Sequence, residues 1–330
     1  MTNETAPPDV TVAVVSGGVG AARFLRGLVR AVDPERIAAV VNTADDTVLH
    51  GLSISPDLDT VTYTLAGAID AGRGWGLGGE SWNAMGALER YAAVRPAGSA
   101  AAPTWFNLGD RDLATHLYRT ARLAEGARPT AVADEIRRAW GVPVRLLPMS
   151  DDPVATWVEL ADGEVVAFQD YFVRLRHAVP VAAVDVRIGG AGPTAEVAAA
   201  LETAGVVVVA PSNPLVSIGP IRALPGIDDL LVARRESVVA VSPIVGGAAL
   251  KGPAARMMAD LGHEPSVVGV ARLYAPIAAA LVIDPVDAHL TDAVAAAGMR
   301  PVVVPSIMRD ERVAAELARA TLAAVSTRST

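Results

Sequence analysis

Short apolar runs of β type alternate along the chain with segments whose apolar residues recur at helical spacing. The first run, 11–15, is broken by Ser16-Gly17-Gly18-Val19-Gly20, and residues 21–32 then follow a helical period. Strand, glycine turn and helix are predicted there. A second buried strand at 37–41 completes a β-α-β unit of ordinary length. Between 60 and 140 the pattern changes and predicts helices at 60–71, 80–94, 111–124 and 130–140, separated by Gly/Pro-rich breaks. Runs of β type occupy 144–186, among them 156–160 and 165–168 around Ala161-Asp162-Gly163-Glu164, a predicted hairpin turn. Apolar runs at 206–210, 238–241, 280–283 and 301–304 then alternate with helical segments, and a final helix is predicted at 311–325.

This order predicts an α/β, Rossmann-like fold: a mostly parallel sheet with helices on both faces, plus an inserted helical and β-hairpin lobe. The expected division is a flexible tail at 1–9, a nucleotide-binding core at 10–60 and 178–330, and an inserted substrate-binding lobe at 61–177.

Composition narrows the class. Of 330 residues 52% are apolar but only 4% aromatic, enough to bury a core and incompatible with wholesale disorder. The mean hydropathy of +0.36 raises a membrane question. The longest uncharged stretch, 203–221, answers it, because its prolines, glycines, serines and asparagine do not suit a spanning helix. The start, MTNETAPPDV, has no basic or apolar region of a targeting signal, so a cytoplasmic protein is expected. With no cysteine, disulfides, thiolate metal sites and cysteine nucleophiles are excluded. The net charge of −8 argues against a nucleic-acid polymer as partner, so an anionic ligand must be held locally. A single lysine among the 28 basic residues reads as codon bias in a GC-rich genome.

Ligands of open parallel sheets collect outside the carboxyl ends of the strands, and four loops there are unusual. Gly17, Gly18, Val19, Gly20 and Ala21 present backbone N–H groups and a helix start suited to a phosphate. The spacing matches neither a full dinucleotide fingerprint nor a Walker loop, and a tight packing turn is the alternative. In the second loop Asp45, Asp46, Asp57 and Asp59 crowd four carboxylates within fifteen positions, which points to a divalent cation such as Mg²⁺ bridging a phosphate. The plainer reading has Asp45 and Asp46 solvated and Asp59 capping a helix that starts at Thr60. Ser212 and Asn213, stiffened by Pro211 and Pro214, suit a base, ribose or phosphate, or form a rigid connection. Lys251, after Gly246-Gly247, would neutralise a phosphate or lie on the surface.

Other features point less directly to chemistry. Asp110 reads as a helix cap, and Trp75 with Trp82 as either an aromatic wall or core. The five histidines lack zinc spacing, and no Gly-x-Ser-x-Gly elbow is present.

Together these loops resemble the 2-phospho-L-lactate transferase family, most closely its actinobacterial branch, which makes the deazaflavin coenzyme F-420. The resemblance runs through Val14 to Gly20, Asn42 to Asp46, His50-Gly51, Ser55 to Thr60, Leu108-Gly109-Asp110-Arg111-Asp112, Ala210 to Pro214 and Ser242-Pro243-Ile244. It implies transfer of a phosphoenolpyruvate or 2-phospho-L-lactate group from a guanosine diphosphate donor to the ribityl hydroxyl of the deazaflavin Fo, with release of GMP. The bacterial branch implies phosphoenolpyruvate as the donor acid. The resemblance further implies phosphate on Gly17 to Ala21, Mg²⁺ and the ribityl chain of the substrate on Asp45 and Asp59, and Asp46 or Asp57 as support or base. Ser212, Asn213 and Lys251 would meet the guanosine diphosphate, and Trp82, Asn83, Phe106 and Asn107 would line the Fo pocket. Phe106-Asn107-Leu108 stands where the family often carries a basic residue. A homodimer is usual among such relatives.

Two rivals make different demands. A nucleotide-sugar-binding regulator of the gluconeogenesis-factor type would follow the paired aspartates with a Gly/Ser-rich stretch, whereas this chain reads Thr47-Val48-Leu49-His50. A dinucleotide oxidoreductase would need a spaced triple-glycine turn.

Overall fold

Four consecutive valines, Val206–Val209, make a strand with no polar side, and such a strand is stable only when both of its faces are covered. The computed structural model, which describes residues 11–97, 99, 101–249 and 252–325, shows how that cover is provided. Seven strands, all parallel, form the central sheet in the order Arg300–Val303, Ala280–Ile283, Val238–Val241, Val206–Val209, Val12–Ser16, Ile37–Val41 and Arg145–Pro148. Alternate residues feed two opposite cores. Ala13, Val15, Val207 and Val209 pack on one side with the Ala195–Thr203 and Val267–Tyr274 helices, while Val12, Val14, Val206 and Val208 pack on the other with Gly18–Leu28 and Glu311–Ala323. Burying each valine contributes about 1.5–3 kcal/mol.

The chain leaves Val12–Ser16 toward Ile37–Val41 on one side and later returns through Val206–Val209 on the other. This reversal opens a crevice between Ser16-Gly17 and Ala210-Pro211, the place where open sheets of this kind take ligands.

Two corrections to the expected division follow from strand pairing. Arg145–Pro148 lies inside the 61–177 segment yet forms the edge of the central sheet, because Leu146 and Leu147 are buried in the two cores. Val181–Arg187, expected within the core, instead joins Ala155–Leu160 and Val165–Ala167 in a separate antiparallel sheet. The hairpin at Ala161-Asp162-Gly163-Glu164 forms as predicted, with Gly163 at φ 87°. The tail at 1–9 lies outside the described residues.

Where helices form, their ends differ from the pattern's by a few residues. The helix expected at 60–71 is Pro56–Leu65. Proline at its first position starts it earlier, since proline lacks only an N–H the first turn does not use. Asp59 is therefore inside this helix and is not its cap. Among the described residues no helix is long and apolar enough to cross a membrane.

Candidate functional site

The four aspartates are brought together by a hairpin that the sequence reading did not identify. Thr47–Leu49 and Leu52–Ile54 pair antiparallel through His50-Gly51, both in the left-handed region at φ 54° and 75°, as a two-residue turn of this type requires. The chain thus doubles back, and Ser55 Oγ donates to Asp46 Oδ2 at 2.6 Å. The strand end and the helix start are thereby closed into one site.

Asn42 sits at its centre. Its Nδ2 donates to Asp45 Oδ2 at 3.0 Å and to Asp57 Oδ2 at 3.2 Å, and its Oδ1 accepts the Ala44 N–H. Asp57 also faces the Gly18 N–H, so an anionic oxygen already lies where the glycine loop offers a donor. Gly17 permits this approach: a Cβ there would come within 2.8 Å of Asp57 Oδ2. Ser212, on the other side of the crevice, donates to the Gly17 carbonyl at 2.8 Å. Asn213 caps the turn Pro214–Ile218 through the Leu215 and Val216 N–H groups. Both residues therefore shape the crevice, with Ser212 Oγ committed to the glycine loop.

The carboxylates are poorly compensated. Burial, then repulsion from Asp57 and Asp46, holds Asp45 well above the ordinary carboxylate range. Asp46 opens on the cleft along one side, but the protein packed around its carboxyl pushes it up to about 8, and burial raises Asp57 to about 6. Asp45 Oδ1 is buried without a hydrogen bond of good geometry, and the buried Thr156 hydroxyl faces it closely enough to draw the pKa of Asp45 partly back down. Such an oxygen is costly unless a ligand meets it. The donor set fits a hard divalent cation: oxygen ligands, surplus negative charge and a poorly bonded carboxylate oxygen. Among the described residues no group of three or more acidic or histidine side chains is placed to hold a metal ion. A cation here would draw at most two carboxylates from the protein and the rest of its shell from water or phosphate oxygens.

Asp59 is engaged differently. It forms a buried, two-pronged ion pair with Arg119, whose Nη1 lies 3.1 Å from Asp59 Oδ2 and whose Nη2 contacts Asp59 Oδ1. Arg119 was not singled out from sequence. Its signal was the spacing of Asp112, His116 and Arg119, polar residues on one stripe of a helix and all three buried.

A cavity of about 460 Å³ adjoins the acidic loop. Asp45, Asp46, Arg119 and Gln169 mark its polar end, while Ile136, Trp157 and Phe168 contribute to its walls. Gln169 Nε2 donates to the Asp45 carbonyl at 3.1 Å, and the Thr156 N–H donates to the Ala44 carbonyl at 2.9 Å, so the antiparallel sheet is pinned directly to the aspartates. Trp82, Asn83, Phe106 and Asn107 do not line this cavity. Trp82 packs edge-on to Trp75 with Arg73 over both rings, and Phe106 packs edge-on to Trp105. Asn83 is held by Asp110 at 2.8 Å. Nothing local in the sequence distinguished Trp157, Phe168 and Gln169, which reach the site only through the pairing of distant strands. Lys251 lies outside the described residues.

The Gly-Asp-Arg-Asp run has a structural explanation that involves two helices. Asp110 accepts the N–H groups of Asn83 and Ala84 at the start of Asn83–Ala92. Glu80 accepts those of Arg111 and Asp112 at the start of Asp112–Ala124. Each helix is thus capped from the segment leading into the other.

The family model for "2-phospho-L-lactate transferase CofD" matches residues 12–323. A protein named phosphoenolpyruvate transferase from Kitasatospora aureofaciens is 42% identical over 319 residues, covering 94% of this chain and 97% of the relative. A protein of the same name from Mycobacterium tuberculosis is 37% identical over 328 residues, with the same coverage of each. Among solved structures, a Bacillus halodurans protein of the upf0052 family superposes with a TM-score of 0.59 at 17% identity, covering 96% of this chain and 100% of that one. That likeness concerns the fold alone. The match across nearly the whole chain, together with the close relatives, shows that this protein belongs to the 2-phospho-L-lactate transferase family.

Proposed function

We propose that the protein transfers a phosphoenolpyruvate group, or the closely related 2-phospho-L-lactate group, from a guanosine diphosphate-activated donor to the ribityl hydroxyl of the deazaflavin Fo. The product is dehydro coenzyme F-420-0, or F-420-0 with the lactate donor, and GMP is released. Family membership supports the group transferred, and the shared name of the actinobacterial relatives favours phosphoenolpyruvate. The observation that carries the reading is the run of contacts from the glycine loop through Asp57 and Asn42 to Asp45, which with Asp46 lines an apolar cavity beyond the acidic loop.

In this reading the backbone from Gly17 to Ala21 holds the diphosphate at the helix start, and the cavity between Trp157 and Phe168 takes the flat ring system of the acceptor. The alcohol oxygen forms a bond to the phosphorus that carries the organic acid. The bond from that phosphorus to the bridging oxygen breaks, and GMP leaves with the electron pair. Asp46, open to the cavity and held by Ser55, takes the alcohol proton. Asp45 and Asp57 would hold Mg²⁺, which when bound supplies positive charge to the diphosphate. Much of the remaining work is positioning, which a rigid crevice provides.

Incubation with Fo, Mg²⁺ and each guanosine diphosphate donor, followed by mass measurement, tests the proposal. A product heavier than Fo by the phosphorylated acid, with one GMP per product, is expected. Unchanged Fo with both donors, in the presence of folded protein, would overturn it.

A further inference from the structure

The chain leaves the strand Val165–Ala167 through an unusual turn. Phe168 lines the cavity, and Gln169 beside it holds the Asp45 carbonyl. Asp170–Arg174 then forms a turn of π-helix, closed by the Leu175 N–H, which donates to the Asp170 carbonyl at 2.9 Å. Arg176 and His177 follow, both in the left-handed region at φ 52° and 41°. Neither is glycine, so both conformations are strained and persist only where the surroundings hold them. Here the His177 N–H donates to the Tyr171 carbonyl at 2.8 Å, and the His177 carbonyl accepts Arg256 Nη1 at 3.3 Å. Tyr171 is itself fully buried in the small core of the antiparallel sheet.

The turn assembles a stack of three rings. Phe172 lies on Phe168 with centroids 5.6 Å apart and 13° between the planes, and His177 lies on Phe172 at 5.4 Å and 22°. The stack runs outward, since Phe168 is 7% exposed and Phe172 37%. A strained turn that leaves a phenylalanine this exposed is not explained by the covering of apolar surface. Phe172 and His177 do not line the cavity, so they back Phe168 and do not widen the wall.

We propose that Phe172 and His177 are positioning residues for the acceptor: stacked in series behind Phe168, they fix that ring as a flat wall of the cavity against which the acceptor's ring system lies. This rests on the reading above that the cavity takes the deazaflavin. Because Gln169 ties the same turn to Asp45, the wall and the acidic loop keep a fixed relation, which governs where the ribityl hydroxyl falls.

The deazaflavin's own fluorescence reads its binding to the full-length protein without turnover. Phe172→Ala and His177→Ala are each expected to weaken Fo binding by about threefold or more, the loss of one stacked pair, with KM for the guanosine diphosphate donor within about twofold of its starting value. His177→Phe keeps a ring on Phe172 and is expected to bring Fo binding back to within about twofold of the unsubstituted protein. His177→Gly separates positioning from stability, because glycine suits φ 41° without strain but supplies no ring. It should melt no lower than His177→Ala and bind Fo as weakly. Fo binding that recovers in His177→Gly overturns this proposal. So does Fo binding left unchanged by both alanine variants while Trp157→Ala weakens it, and in either case the cavity's occupant stands. If Phe172→Ala does not fold, the His177 series decides alone. Absence of Fo binding to the folded, unsubstituted protein overturns the acceptor reading, and this proposal with it.

Discussion

Gly20 faces the carbonyl of Pro211 so closely that a Cβ on the glycine would lie 2.1 Å from the oxygen. The glycine therefore sets how near the first helix comes to the opposite wall of the crevice, and with it the position of the whole glycine loop. Gly20→Ala should cost about 1–3 kcal/mol through overpacking. It should also raise KM for the guanosine diphosphate donor more than KM for Fo. Thermal melts and two-substrate kinetics check this. Unaltered donor KM would show that the loop does not hold phosphate.

Asp45 combines a carboxylate oxygen that lacks a hydrogen bond of good geometry with a place at the polar end of the cavity. Asp45→Asn preserves the shape and removes the charge, so turnover at limiting Mg²⁺ should fall by about tenfold or more while the fold is retained. Steady-state rates across a Mg²⁺ titration and a circular dichroism melt give the two readings. Activity close to that of the unsubstituted protein would remove Asp45 from the mechanism.

The raised pKa values of Asp45, Asp46 and Asp57 give a stability dependence of the opposite sense to that of salt-bridged carboxylates. Each group holds its proton more firmly in the folded protein than in the unfolded chain. The stability each contributes is complete below its unfolded pKa, about 3.9, and is lost as pH rises through the folded value. For Asp57 and Asp46 those folded values are about 6 and about 8. The metal-free protein should therefore melt at lower temperature as pH rises across that window. Added Mg²⁺ should recover more at the alkaline end than at the acid end. Differential scanning fluorimetry across the range, with and without Mg²⁺, would reveal a flat profile if these groups are not strained.

Trp157 lines the cavity, whereas Trp82 does not. Trp157→Ala should raise KM for Fo by about tenfold, the loss of one good aromatic contact. Trp82→Ala should leave that KM near its starting value. The reverse outcome would move the deazaflavin to the wall suggested by sequence alone.

Asp110 caps Asn83–Ala92 from the segment that leads into the next helix. Asp110→Ala should lower the melting temperature and speed amide exchange at Asn83 and Ala84, with Asp110→Asn intermediate because asparagine also caps. Exchange confined instead to the start of Asp112–Ala124 would contradict the crossed capping.

Much of the core could be read locally. The valine run at 206–209, the glycine turn after Ser16 and the hairpin at Gly163 each state their conformation within a few residues, because burial on both faces, close backbone approach and a left-handed turn leave few alternatives. The acidic loop and its relation to a phosphate-binding turn were likewise legible as chemistry. What each aspartate does was not. Asp57 and Asp59 differ by two positions and look equivalent in the sequence, yet one meets Asn42 and the other Arg119, sixty residues away. Likewise Trp157 and Gln169 reach the site only because distant strands pair and pin the antiparallel sheet to Asp45. Periodicity and turn chemistry act over a few residues and so survive in the sequence as pattern. Which buried charge finds which partner depends on contacts between distant segments, and these exist only once the chain has packed.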